Sequence, residues 1–458
     1  MNVKYKDPNR PLRDKVSDIL QWLDQYHNQD VHEKKLLDIY EGQLLPYVED
    51  SLRQELEDGS EAFKRAKERL VPLNIVKKVV DKLAKAYAHG VERSCQDEND
   101  QILVENYEAL LDVDHIMNQA NKLVELHKYC AVEPYWNSTD GYPKLRLIPA
   151  DRFKMYSDDP EDPTNPTVFI KYVGQITEYQ EVRVDSDGQL QRQAHESYRN
   201  VACYYLYTND EFLIVDHNGA IRRDLMEKME ADGTNPWGFI PFVIISKDSF
   251  ELVPLPDTDM YQMSMLIPKV LGDGTYALNW QSHSILYGID VELNGLKTGP
   301  DYVWEVSSRE GDNKSPELGT IDPSVDIEKI IQLSDYILST WLQSRGIKPG
   351  TIGTLTVDKA ESGIAKVIEE ADTTKYIKES QGVFTRAEHK LWNMIVEMHN
   401  NDWVSREGYP LNTRFSEECM VEIHFADPKP LISDAEKLED IKAKLDLGLI
   451  SKKRAILA

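Results

Sequence analysis

The hydrophobic period of this sequence changes twice, from helical to alternating near residue 131 and back to helical near residue 256. Such a chain cannot be one helix bundle or one sandwich, because each period buries its apolar face only in its own kind of layer. The clearest helical stretch is 74–90, where Val76, Val79, Val80, Leu83, Ala84 and Tyr87 recur at i, i+3, i+4 spacing. That stripe predicts one amphipathic helix, with Asn74 at its N-cap and Gly90 just past its end. A second helical block is expected over about 97–128.

From about Ala131 the period is two. Turn signals at Thr139–Gly141, Asp185–Gly188, Thr208–Asp210 and His217–Gly219 separate short runs rich in Val, Tyr, Ile and Phe. Val201–Tyr207 and Phe212–Val215 flank one turn as a hairpin. The acidic, proline-bearing stretch 157–163 reads as a surface loop, and the antiparallel module ends over 235–243.

After Pro256 one long helix is expected over 257–287, kinked near Pro268 and Gly272-Asp-Gly274. A β-and-loop insertion follows over 291–323 and contains Tyr302–Val306. The next helix starts at Ile327, with Ile330, Ile331, Leu338, Trp341 and Leu342 on one stripe. Residues 347–359, rich in Gly, Thr and Pro, read as a loop. Helix resumes at Ser362, with Phe384, Ala387, Leu391, Met394, Ile395 and Met398 as its buried face and Gly382 as a weak point. Ser433–Glu436 is a capping box opening a charged helix that Gly448 ends, and Ser451 starts a last short one. The expected fold class is α+β, helix-rich and multidomain, and 458 residues fit about three domains.

Charge limits the partners. The chain has 53 Lys+Arg against 79 Asp+Glu, a net charge of −26. Affinity for nucleic acid through phosphate neutralisation needs clustered cations, and adhesion to an anionic membrane needs them too. The longest nearly unbroken apolar run, Phe239–Ile245, falls far short of a membrane span. The N-terminus lacks an apolar signal core, so the expectation is a soluble protein made in a cytoplasm, and the sequons at Asn137 and Asn313 are coincidence. Cys95, Cys130, Cys203 and Cys419 stand far apart without a CxxC, which argues against a disulfide framework or a zinc ribbon.

Catalytic patterns are missing. No GxxxxGK[ST], GxSxG or HExxH occurs, and Gly272-Asp-Gly274 lacks the third glycine of a dinucleotide loop. His27 and His32 are five residues apart and fall on different helix faces; His389 and His399 read as surface or satisfied core histidines. Asp257 and Asp259 at a helix start most simply stabilise its dipole. A carboxylate–metal hydrolase or nuclease built on them would need a third ligand that the sequence does not place. No catalytic, cofactor or metal residue is assigned, and the chain is expected not to be an enzyme. An unrelated scaffold or adaptor is the other rival.

The order of parts carries more than any motif. Two helices bracketing a small β insertion, followed by a Gly/Thr loop and a long helix, resemble the portal proteins of tailed bacteriophages. Stretch 74–90 is similar to the family's early helix ending in Tyr-x-x-Gly, and Leu147–Asp151 to its Pro-x-Asp strand end. Trp237–Val243 resembles its Gly-x-Ile-Pro stretch, Glu361–Lys366 its Ser-Gly-x-Ala helix start, and Leu447–Ser451 its Gly-Leu-Ile-Ser turn. The likeness spans about 70–458, and the first seventy residues match nothing in it.

The resemblance implies a wing over 1–255 and 362–410, stem helices over 256–290 and 326–347, a clip over 291–325, a tunnel loop over 348–361 and a crown over 411–458. It implies a homo-oligomeric ring, a dodecamer, at one capsid vertex of a virion, assembled in the host cytoplasm among major capsid and scaffolding proteins. Double-stranded DNA would pass through it as non-sequence-specific cargo during packaging and ejection, with no cofactor and no membrane. Clip residues Asn294, Lys297, Arg309 and Lys314 would dock the terminase motor and then the head–tail adaptor. Loop residues Thr351, Ile352, Thr354, Leu355 and Thr356 would face the DNA. Residues 255–347 hold fourteen acids against six bases, net −8, which suits a conduit that must not trap phosphates.

Overall fold

The computed structural model describes residues 10–159, 161–183, 194–247, 251–281, 285–289, 317–321, 327–347 and 363–426. They form two compact units, one of Met1–Glu41, Val76–Thr258 and Asp358–Ala458, the other of Gly42–Ile75 and Asp259–Val357. The fold is α+β and multidomain, as the two periods imply.

Helix α1 (Leu12–Leu23) buries Leu12, Val16 and Ile19 at i, i+4, i+7. Helix α2 (His27–Tyr40) follows, then α3 (Leu44–Glu55) and α4 (Glu61–Glu68) of the second unit. Ser60 caps α4 by accepting from the Phe63 N–H at 3.1 Å. Helix α5 (Ile75–Leu83) is shorter than its stripe predicts. The backbone turns out of the helix there, the Lys85 N–H donating to the Leu83 carbonyl at 2.8 Å. The buried Asn121 backs this turn: with its amide oriented to satisfy both ends, its side-chain oxygen accepts from the N–H groups of Lys85 and Ala86. Ala84 and Ala86 stay buried in the turn that results.

Strand β1 (Val91–Ser94) leads to α6 (Glu98–Leu111), capped by the Asp97 carboxylate on the N–H groups of Asn99 and Asp100. The block expected over 97–128 is two helices, because Asp112 adopts a left-handed conformation (φ 48°) between α6 and α7 (Val113–His127). Asp tolerates that region better than most residues.

Strands β2 (Tyr129–Asn137) and β3 (Tyr142–Pro149) form a hairpin around Thr139–Gly141. Strands β4 (Phe153–Tyr156), β5 (Val168–Arg183), β6 (Ala194–Tyr207) and β7 (Phe212–Asp216) make an antiparallel meander in that order. The hairpin expected at 201–215 is β6–β7. Between Tyr172 and Gly174 the register shifts; Gly174 takes φ +116° there, a conformation open to glycine and costly for other residues. After a short helix α8 (Arg223–Lys228), strand β8 (Val243–Ser246) joins the edge of β2.

Helix α9 (Thr258–Gln281) carries Pro268 inside it and ends earlier than the expected 287. Its predicted tail is instead strand β9 (Ile285–Ile289), paired antiparallel with β10 (Glu317–Ile321). The β10 ladder satisfies backbone groups that would otherwise have had only a helix to bond within. Helices α10 (Ile327–Ser344) and α11 (Gly363–Asn401) follow, α11 running unbroken through Gly382. Strand β11 (Glu422–Phe425) closes on β1.

The main core of the first unit lies among α6, α7, α11 and the β3-β2-β8 sheet. Phe384, Ala387, Leu391, Ile395 and Met398 are buried there as predicted, and Met394 packs at the edge. A further cluster seats α1 on the meander through Val168, Ile170, Leu206 and Val215. The turn signal at 185–188, Tyr302–Val306, and the C-terminal features at 433–436, 448 and 451 lie outside the described residues.

Candidate functional site

The second unit holds the two helices that flank the β9–β10 ribbon. On α9, Met260, Met263, Met265 and Ile267 are buried, and on α10 Trp341 and Leu342. The two helices are joined at one point by polar contacts. Asp259 accepts from Trp341 Nε1–H at 3.0 Å through one oxygen and from the Arg345 guanidinium at 2.7 Å through the other. Arg345 also lies over the Trp341 ring, 5.0 Å from its centroid. Asp259 is therefore the acceptor that fixes Trp341 and Arg345, an engagement that leaves it poorly placed as a metal ligand. Lys269 reaches from α9 to α3, donating to Ser51 Oγ at 2.7 Å and Glu55 Oε1 at 2.5 Å.

Gly272 has a packing role beyond the kink expected of it. A Cβ there would lie 2.6 Å from the Arg69 carbonyl oxygen, so α9 passes this backbone at a distance only glycine allows.

The amino-terminal half of α10 departs from its predicted stripe. Ile331, expected to be buried, is 45% exposed, and Leu333 and Tyr336 are exposed at 56% and 69%. Leu333 and Tyr336 share a face at i, i+3, and Ile331 points well away from it. Apolar groups thus stand open on two sides of the same half-helix. The sequence carried a signal for this, since Leu333 and Tyr336 lie off the stripe that Trp341 and Leu342 continue.

The first unit has its own polar centre. Lys154, 2% exposed, donates to Glu33 Oε2 (3.0 Å), Tyr129 OH (2.9 Å) and the Ala150 carbonyl (2.8 Å), and lies 2.7 Å from Asp30 Oδ1. Burial pushes the Asp30 carboxyl up to about 6 even against the pull of Lys154. A surface cavity of about 400 Å³ opens beside Asp30, Asp151, Lys154, Tyr172 and Tyr204. Of its charged lining groups, Lys154 is held by Asp30 and by Glu33 behind it, while one oxygen of Asp151 is buried without a hydrogen-bond partner. His399 is a satisfied core histidine. Tyr409 OH donates to Tyr107 OH (2.8 Å), Tyr107 OH to His399 Nδ1 (2.7 Å), and His399 Nε2–H to the Thr413 carbonyl (2.8 Å).

Among the described residues, no group of three or more His, Cys, Asp or Glu is arranged to hold a metal ion. No helix among them is long and apolar enough to cross a membrane. Clip residues Asn294, Lys297, Arg309 and Lys314 and loop residues Thr351, Ile352, Thr354, Leu355 and Thr356 lie outside the described residues.

No family model matches the sequence, and no curated protein matches it. Among solved structures, a chain from the virion of a native gene transfer agent particle aligns with a TM-score of 0.37 and 11% identity, over 88% of this chain and 94% of that one. Similarity of that size does not establish a shared fold, so the functional reading rests on this chain's own elements.

Proposed function

We propose that this chain is the subunit of a viral portal ring, a structural protein through which double-stranded DNA enters and leaves a capsid at one vertex. The observation that carries the reading is the run of elements from α9 through the β9–β10 ribbon to α10 and then the 39-residue α11. In this reading the two helices are the stem and the antiparallel ribbon between them belongs to the clip. The segment similarities to portal proteins, at 74–90, 147–151, 237–243, 361–366 and 447–451, occur in the family's order along the chain.

The open half of α10 supports assembly. Burying a large apolar side chain is worth ~1.5–3 kcal/mol, and Ile331 on one side with Leu333 and Tyr336 on another suits a helix with a neighbour to either side, as in a ring. Fourteen acids against six bases over 255–347 favour a bore that repels phosphates at close range, within the ~8 Å screening length of physiological salt. In this reading the clip docks the terminase motor and later the head–tail adaptor, and 348–361 lines the channel. Its other partners in this reading are the major capsid and scaffolding proteins among which the ring assembles.

Negative-stain microscopy of the purified full chain tests it. Rings with an axial hole, lost in Leu333→Glu/Tyr336→Glu with unchanged circular dichroism, are the expected result. Monomers of the parent protein at every concentration would sink the proposal.

A further inference from the structure

Cys95 and Cys419, far apart in sequence, meet in the first unit. Cys95 follows β1 directly, and Cys419 sits in the turn ahead of β11, its N–H donating to the Ser416 carbonyl at 3.2 Å. Strands β1 and β11 pair with Ser94 opposite Glu422, which brings the two flanks alongside. The start of α6 holds both. Gln101 Oε1 accepts from the Cys95 N–H at 2.7 Å and its Nε2 donates to the Arg93 carbonyl at 3.2 Å. Asp100, 3% exposed, accepts from Ser416 N–H at 3.0 Å and Ser416 Oγ–H at 2.5 Å. Between these anchors Cys95 stands one residue beyond the β1–β11 ladder and Cys419 three residues before it, and each thiol enters the other's electrostatics. Both thiols are partly exposed at the rim of the main core, whereas Cys130, inside that core, and Cys203 are fully buried.

We propose that Cys95 and Cys419 are a redox-active pair that closes into a reversible intramolecular disulfide when the protein meets a low-molecular-weight disulfide. The pairing of β1 with β11 holds the two thiols on adjoining, separately anchored segments at the rim of one core, and a disulfide forms only between cysteines so brought together. The bridge would tie the turn before β11 covalently to the β1–α6 junction, closing a loop through most of the first unit.

The chemistry balances as two exchanges. The Cys95 thiolate attacks one sulfur of the oxidant, forms a mixed disulfide and releases one thiolate of the reagent. Cys419, giving its proton to solvent, then attacks Cys95 Sγ and releases the second. The protein loses two hydrogens and one reagent disulfide becomes two thiols. Cys95 is the first nucleophile because the neighbouring Cys419 thiol favours its thiolate, whereas Cys95 and Asp100 disfavour that of Cys419. Burial pushes both thiols up, and Cys95 and Asp100 push Cys419 further, so closure is slow at neutral pH and accelerates in mild base. None of this depends on the portal reading.

The test is incubation of the native full chain with excess oxidised glutathione at mildly alkaline pH, followed by thiol titration in denaturant and peptide mapping. Reactive thiols are expected to fall from the four of the sequence to two, the mass to drop by two hydrogens, and one tryptic product to link Cys95 with Cys419. Cys419→Ser should instead retain one glutathione on Cys95. Dithiothreitol should restore all four thiols. Four thiols persisting, two glutathione adducts without a cross-link, or a bridge to another subunit would each overturn the proposal.

Discussion

Arg93 and Glu388, 295 residues apart, meet in a two-pronged buried ion pair, with Nε 2.6 Å from one carboxylate oxygen and a guanidinium nitrogen 2.9 Å from the other. Their side chains are 2% and 0% exposed. Arg93 also reaches Glu108 at 2.7 Å and Asp114 at 2.8 Å, and Tyr87 OH donates to Glu388 at 2.6 Å. The pair thus pins β1, α6, α7 and the middle of α11 at one point. Glu388→Gln should destabilise the first unit by ~3–5 kcal/mol in urea unfolding, since it leaves a buried guanidinium partly uncompensated. Arg93→Met with Glu388→Leu should recover much of that loss. A single mutant as stable as the parent would contradict the network.

Acid stability should depend on His127. It is fully buried with neither ring nitrogen hydrogen-bonded, and burial first, then Lys154 and His32, lower it to about 3. The unfolded chain takes up a proton below about 6.5 that the folded imidazole refuses. The stability from neutral His127 is therefore full above pH 6.5 and is lost as pH falls toward 3, on the order of 3–5 kcal/mol. Asp30 acts oppositely. Its carboxyl is raised to about 6, so its protonated form favours the fold below the ordinary carboxylate value near 4, and that contribution fades as pH rises through 6. In stability–pH curves, His127→Leu should flatten the slope between pH 6.5 and 3, and Asp30→Asn should steepen the loss on acidification between 6 and 4. Parallel curves for His127→Leu and the parent would refute the assignment.

Gly272→Ala should cost ~1–3 kcal/mol, because the new methyl meets the rigid Arg69 carbonyl 2.6 Å away. Gly382→Ala, where nothing lies within 4 Å of the added carbon, should be neutral or stabilising by ~0.5–1 kcal/mol. Thermal melts of the two variants side by side provide the comparison, and equal midpoints would argue against close approach at Gly272.

On α10, Trp341→Phe should lose ~1–2 kcal/mol, since Asp259 Oδ2 gives up the 3.0 Å bond from the indole N–H. Ile331→Asp should leave folding intact, because Ile331 is exposed within the chain, and should act on assembly instead. Analytical ultracentrifugation with parallel urea titrations separates the two effects. Unfolding of Ile331→Asp would mean the residue is covered within its own unit.

The portal reading makes its own demand on the channel loop. Deleting Thr351–Thr356 should leave rings intact and impair DNA packaging or retention, while exchanging Lys297, Arg309 and Lys314 for Glu should weaken terminase docking with ring assembly unaffected. A full genome packaged and held by the loop deletion would reduce 348–361 to a connector between helices.

Much of the local structure was legible in the residues themselves. The two hydrophobic periods marked helical and strand segments, Asp97 stood at a helix start, the turn at 208–210 implied the β6–β7 hairpin, and the spacing from Phe384 to Met398 marked the buried face of α11. These features depend on neighbours two to four residues away, whose side chains share one face of a helix or one side of a strand. Contacts between distant segments depended on tertiary structure. With 79 carboxylates in the chain, nothing local marks Glu388 as the partner of Arg93, Asp259 as the acceptor for Trp341, or Cys419 as the neighbour of Cys95. The turn after α5 is backed by Asn121, a residue of α7, and the amino-terminal helices divide after Glu41 because 42–75 packs with 259–357. The strand at Ile285–Ile289 exists because Glu317–Ile321 pairs with it. Periodicity records which face of an element is apolar, and only the packed chain decides what that face, or a buried charge, will meet.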